Sequence, residues 1–153
     1  YNSSINNATQ FTIECWYKSA NIGVEGILFN TNSYGVTTPA YGYHLEIYQR
    51  KLLLQVFPSE SFTQASVTLS DNTWYQLIVT YNSGTVNYYI NSVSSGTGSY
   101  TFTPSSISLI LGRYPMGNFS LNGQLANVKF YNRALSATEI KQNFNASRDR
   151  FGI

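Results

Sequence analysis

The chain has 153 residues, of which 42% are hydrophobic and 10% charged, with a formal net charge of +2. That length suits one domain around one core, and a charged fraction well below the roughly 25% of an average domain leaves Asn, Ser, Thr, Gly and Tyr to make the surface. Nucleic acid is disfavoured as a partner, because phosphate contacts need clustered Lys and Arg, and the small net charge is dispersed, with Arg148 to Arg150, interrupted by Asp149, the stretch that most resembles a cluster.

Phe11, Ile13, Cys15 and Tyr17 alternate with Thr12, Glu14, Trp16 and Lys18, the period of a strand with two different faces. The lone Cys15 points inward and allows neither a disulfide framework nor a zinc site. A short buried strand follows at residues 26–31, and apolar runs at 43–48 and 52–57 flank the polar Gln49-Arg50-Lys51, so a hairpin is expected there. Residues 66–69 make a further strand. At 74–82, Tyr75, Leu77, Val79 and Tyr81 share one face; Ser83-Gly84 then turns the chain into Val86, Tyr88 and Ile90, a second hairpin. The Ser/Gly-rich residues 92–99 are expected to form a mobile loop. Strands at 107–112 and 123–131 complete the set, the latter with Ala126, Val128 and Phe130 on one face and Asn127, Lys129 and Tyr131 on the other. The period then changes: Ser136 is an N-cap, Glu139 its capping-box partner, and Leu135 and Ile140 a hydrophobic staple, which predicts a helix over 137–146.

Many short strands punctuated by Gly, Asn, Ser and Pro, closed by one short C-terminal α-helix, predict an all-β sandwich. Residues 1–153 are read as a single domain that opens at Tyr1 and is expected to be part of a longer chain or assembly. No run of about 18 apolar residues offers a membrane-spanning helix, and no basic segment followed by an apolar one marks a signal peptide.

Three segments together resemble the laminin-G-like group of the concanavalin A-like lectin/glucanase superfamily. They are Phe11-Thr12-Ile13-Glu14-Cys15-Trp16; Trp74-Tyr75-Gln76-Leu77-Ile78-Val79-Thr80-Tyr81 with Gly84 and Tyr89-Ile90-Asn91; and Leu111-Gly112-Arg113, Asn122-Gly123 and Tyr131-Asn132-Arg133-Ala134-Leu135-Ser136. The resemblance implies a jelly roll of two antiparallel sheets, one concave and one convex, with ligand sites on the concave face or at a loop rim. Residues 142–153 resemble the ends of such domains in virion proteins of tailed bacteriophages, which implies a place on a virion surface or outside the cell. Relatives often carry an acidic pair where this chain has Ala126 and Asn127. A dedicated calcium site is therefore not expected, since calcium takes six to eight oxygens with several carboxylates among them; a weak site built from carbonyls and Asn side chains stays open, and no other cofactor is implied.

The superfamily includes glucanases, but glycoside hydrolysis needs two carboxylates about 5 Å apart, or about 6.5–9.5 Å for inversion. Glu46 stands alone in His44-Leu45-Glu46-Ile47-Tyr48, and His44, the one histidine, has no Gly-x-Ser-x-Gly nucleophile elbow to serve. A non-enzymatic domain is expected. Two long loops remain, one at 32–42 with Tyr34, Pro39 and Tyr41, the other at 113–122 with Arg113, Tyr114, Pro115, Asn118 and Phe119. Exposed aromatics offer flat apolar faces to sugar rings and hydroxyls for hydrogen bonds. Tyr34, Tyr41, Tyr43, His44, Arg113, Tyr114 and Asn118 are the candidate ligand contacts. Their partner is either a host-surface glycan or neighbouring virion proteins in an oligomeric assembly, since protein interfaces are likewise rich in Tyr and poor in Lys and Glu.

Overall fold

The computed structural model describes residues 9–23, 26–31, 33, 39–101, 103–114 and 120–153. Among them, ten strands run in chain order as β1 (Gln10–Lys18), β2 (Gly26–Asn30), β3 (Gly42–Tyr48), β4 (Lys51–Phe57), β5 (Ser61–Gln64), β6 (Tyr75–Asn82), β7 (Thr85–Ile90), β8 (Val93–Ser99), β9 (Ile110–Leu111) and β10 (Gln124–Tyr131). Helix α1 (Ala137–Asn145) and a 3-10 turn (Arg148–Phe151) close the chain. The first sheet has the order β10-β1-β6-β7-β8 and the second β5-β4-β3-β2-β9, five strands each, and every pairing is antiparallel. The expected all-β jelly-roll sandwich with a short C-terminal helix is the observed one. No helix among the described residues is long and apolar enough to cross a membrane.

The strand alternation builds the core. Phe11, Ile13, Cys15 and Tyr17 of β1 and Leu77, Val79 and Tyr81 of β6 face Leu45 and Ile47 of β3 and Leu52, Leu54 and Val56 of β4 across the sandwich. Phe11 stacks between Tyr43 and Tyr81, with ring centroids at 5.0 and 5.2 Å, and so ties the two sheets together. Burying each such side chain contributes about 1.5–3 kcal/mol. Burial pushes the Cys15 thiol well above its ordinary pKa, so it is an inert small apolar residue here.

The two outer faces differ. Over the first sheet, Ile78 packs with Leu135 and Ile140, the staple residues, and Trp16 stacks on Phe144 and Phe151. Strand β1 is thus buried on both faces. The capping box forms as expected: the Glu139 amide donates to Ser136 Oγ at 3.3 Å, and the Ser136 amide donates to Glu139 Oε2 at 2.9 Å. Arg133 adds a two-pronged contact to the same carboxylate at 2.7 and 3.0 Å.

The Arg133 guanidinium first, and the Ser136 amide and hydroxyl after it, hold the Glu139 pKa down from 4.5 to about 2. A depressed carboxyl stabilises the folded form above its unfolded pKa, and that contribution is lost as the pH falls through the folded value. Hydrogen exchange of the α1 amides should accordingly lose protection between pH 4.5 and about 2. Glu139→Gln should lower protection at neutral pH and abolish this acid step.

Four readings of the sequence need correction. Residues 92–99 are not a loop: β8 pairs with β7, so Ser and Gly sit on an edge strand where little side-chain packing is required. Residues 66–69 are not a strand, and β5 lies earlier, at Ser61–Gln64. The strand expected over 107–112 shrinks to Ile110–Leu111. In β10 the alternation breaks at Asn127, which has φ 47° in a bulge opposite the Glu14/Trp16 step. The extra residue turns Ala126 toward Trp16 while Leu125, Val128 and Phe130 pack on the core.

Candidate functional site

The β3–β4 hairpin places one face of side chains on the outside of the second sheet. Its turn is the two residues Gln49 and Arg50, with φ 48° and 64°, the left-handed geometry that matches strand twist in tight hairpins. The tip is anchored by Arg50, which donates to Asp71 Oδ1 and Oδ2 at 3.1 and 3.2 Å. This register sets His44 opposite Gln55, Glu46 opposite Leu53 and Tyr48 opposite Lys51, and the next strand sets Phe62 opposite Gln55. Tyr43, Leu45 and Ile47 take the inward places.

On this outer face Glu46, Tyr48, Leu53, Gln55 and Phe62 line a depression of about 130 Å³. Phe62 is 55% exposed, whereas Leu53 is buried at 3%. Gln55 Nε2 donates to the Glu60 carbonyl at 3.0 Å, which pins its carboxamide at the edge. Glu46 Oε1 lies 3.6 Å from His44 Nε2. The imidazole is itself buried, edge-on to Phe57 at 5.6 Å and to Tyr114 at 5.7 Å. An exposed aromatic, a buried aliphatic side chain, one carboxylate, one carboxamide and one phenol therefore meet within a small concavity. Such a surface can stack an apolar ring face and accept hydrogen bonds from hydroxyls around its rim. Among the described residues Glu46 is the one carboxylate lining it, and no three His, Cys, Asp or Glu side chains gather as a metal site.

The candidate contacts from the sequence divide. His44 and Tyr114 meet beside Glu46. Arg113 is exposed and bridges in backbone to Ser120. Tyr41 is half-buried, its amide donating to Ser33 Oγ at 2.9 Å. Tyr43 is a correction: it is fully buried and stacked on Phe11, and burial pushes its hydroxyl pKa up, so it belongs to the core and presents nothing to a ligand. Tyr34 and Asn118 lie outside the described residues. Tyr48, Leu53, Gln55 and Phe62 were not among the candidates, and Glu46 was weighed only as a catalyst. The hairpin signal at 49–51, read as a three-residue turn, sets His44, Glu46 and Tyr48 on a face with Leu52, Leu54 and Val56; the observed two-residue turn shifts the register by one and gives them Leu53 and Gln55 instead. Phe62 carried no such signal.

Asn127, one of the two positions where relatives are often acidic, lies on the first sheet, and its Oδ1 accepts from Arg150 Nη1 at 3.5 Å. Its type suits the positive φ of the bulge, which Asn tolerates better than most residues. Gly123 has an equally local reason. Its φ is 143°, and a Cβ there would run into the Lys18 carbonyl and the Tyr17 ring.

Two facing five-stranded sheets, one backed by a C-terminal helix and the other bearing an aromatic depression, define a lectin-like jelly roll. The chain belongs to the family described as "Concanavalin A-like lectin/glucanases superfamily", whose sequence profile matches residues 1–141. No curated protein matches the sequence. Among solved structures, a candidate carbohydrate-binding protein from Bacteroides ovatus superposes with a TM-score of 0.71 at 17% identity, over 88% of this chain and 40% of that one. The binding domain of Paraclostridial Mosquitocidal Protein 1 gives 0.72 at 21% identity, over 95% of this chain and 39% of that one. Botulinum neurotoxin type C, whose cell entry depends on interaction with two ganglioside molecules, gives 0.67 at 17% identity, over 93% of this chain and 37% of that one. The chain thus spans between 37% and 40% of the length of these proteins, and the likeness is one of fold.

Proposed function

We propose that the chain is a non-enzymatic recognition domain that binds glycans in the depression on the outer face of the second sheet. The observation that carries this reading is Phe62, 55% exposed and lining a concavity that also offers Glu46, Tyr48 and Gln55. An apolar plane ringed by polar groups matches a sugar ring, which is apolar on its faces and hydroxylated at its edge. Family membership supports the reading, as does the carbohydrate-binding description of the Bacteroides ovatus protein. The single carboxylate argues for binding over hydrolysis and for recognition without calcium, so a chelator should leave binding unchanged.

At about 130 Å³ the depression is well below the roughly 300–1,000 Å³ of a pocket for a drug-sized ligand. One site then holds one sugar ring, with affinity no better than about millimolar, or about −4 kcal/mol. Display in many copies raises avidity by about 10²–10⁴ without any new contact. The proposed setting is a virion surface, tail or capsid, reading glycans of a host cell; it rests on the likeness of residues 142–153 to the ends of phage virion domains.

The test is a glycan array probed with the chain in multivalent form, beside Phe62→Ala. Wild type should bind a subset of glycans, and the variant should lose at least about tenfold, about 1.4 kcal/mol, with an unchanged melting temperature because the ring is largely exposed. Absence of binding to any glycan, with Phe62 covered by a neighbouring subunit in an assembled particle, would replace this reading by that of a decorating module making protein contacts.

A further inference from the structure

The depression also carries a charge, and its sign bears on which glycans fit. Among the described residues that line it, Glu46 is the only ionisable acid or base apart from the Tyr48 phenol. Its side chain is 16% exposed, so it sits in the wall of the concavity, where solvent screens it less than on an open strand. The base nearest to it is His44, whose Nε2 lies 3.6 Å from Glu46 Oε1 without lining the depression. Lys51 lies opposite Tyr48 at the hairpin end, and Arg113 precedes Tyr114 at the other; neither lines the depression.

From this we infer that the site selects saccharides whose bound ring is uncharged or bears an amine, and rejects rings that carry a carboxylate, with Glu46 as the specificity-determining residue. The inference rests on the glycan reading above. A carboxylate ligand would bring a second negative charge within a few ångströms of Glu46, and like charges that close, partly shielded from water, oppose binding strongly. A neutral ring instead offers hydroxyl donors to the same carboxylate, forming charge-assisted hydrogen bonds. Glu46 thus favours one class and penalises the other through a single group. The same side chain explains why a small site can discriminate: specificity needs a repulsive element as well as an attractive one.

The experiment prints neutral oligosaccharides, each beside its own sialylated and uronic-acid-capped form, and probes them with wild type and with Glu46→Gln, which keeps the shape of the side chain. Wild type should bind neutral members at least about tenfold better than their acidic partners, a gap of about 1.4 kcal/mol. Glu46→Gln, with an unchanged melting temperature, should lose part of the neutral binding and narrow the gap to about threefold or less. Equal or better binding of the acidic forms by wild type, lost in Phe62→Ala, would overturn this inference and leave the glycan reading standing. A preference for neutral forms that Glu46→Gln leaves intact would remove Glu46 as its cause. Failure to bind any printed glycan would sink the glycan reading itself, and this inference with it.

Discussion

Trp16→Ala should destabilise the fold by about 3–5 kcal/mol, the range for deleting a buried aromatic. The indole is fully buried, yet it lies on the outer face of the first sheet rather than in the sandwich core. Its ring stacks on Phe151 at 4.1 Å and on Phe144 at 5.9 Å, and its Nε1 donates to Ser147 Oγ at 3.2 Å. Phe151 in turn meets Trp74 at 4.9 Å, and the Arg148 and Arg150 guanidinium groups lie 6.0 and 5.9 Å from the Phe144 and Phe151 rings. The whole C-terminal segment is therefore organised around one side chain of β1. At about 2–4 °C per kcal/mol for a chain of this size, the melting temperature should fall by about 6–20 °C. Limited proteolysis should then cut beyond Ser136 first. A variant that melts like wild type would show that α1 is held by Ile78, Leu135 and Ile140 alone.

Glu14→Ala should cost about 2–4 kcal/mol through the same interface. The carboxylate has no exposed surface and accepts from Asn143 Nδ2 at 2.7 Å, Gln76 Nε2 at 3.1 Å, Lys129 Nζ at 3.2 Å and Tyr131 OH at 3.5 Å. Breaking a fully buried ion pair costs about 3–5 kcal/mol because the surviving partner is left without compensation. Here Lys129 is 39% exposed and turns to water, which lowers that cost. The buried Gln76 amide has no such outlet, and an unmet buried donor costs about 1–3 kcal/mol, whereas the half-buried Asn143 keeps Tyr131 OH at 3.0 Å. Urea denaturation measures the loss; a change below about 0.5 kcal/mol, the scale of an ordinary surface substitution, would contradict the role assigned to Glu14. Because the proposed site lies on the other sheet, both variants should retain glycan binding per folded molecule.

The parts of this architecture that depend on neighbours in sequence were legible. The alternation of β1, β6 and β7 and the capping box at Ser136 and Glu139 are local patterns, and each forms as read. What depends on distant packing was not. Trp16 and Glu14 sit at positions that alternate with the core, so the sequence placed them outward, and only the returning C-terminal segment buries them. The bulge at Asn127 shifts β10 by one residue, which no period-two pattern announces. Strands β5 and β8 lie at the sheet edges and pair with little apolar patterning, so β8 passed for loop and β5 was placed too late, at 66–69.

The site followed the same division. Tyr114 was named for its place in or beside a long loop and His44 for its strand face, and the two do meet. Tyr43 was named on the same ground but points inward, since a one-residue step along β3 changes its face. The depression itself combines β3, β4 and β5. Its Phe62 belongs to the edge strand that the sequence did not reveal.

The most direct test of the central claim is a map of amide chemical-shift changes when a glycan selected on the array is titrated into the labelled chain. The account predicts shifts centred on Glu46, Tyr48, Leu53, Gln55 and Phe62, absent in Phe62→Ala, with the α1 face of the first sheet unmoved. Shifts confined to the α1 face, or to the 32–42 and 113–122 loops without the depression, would contradict it.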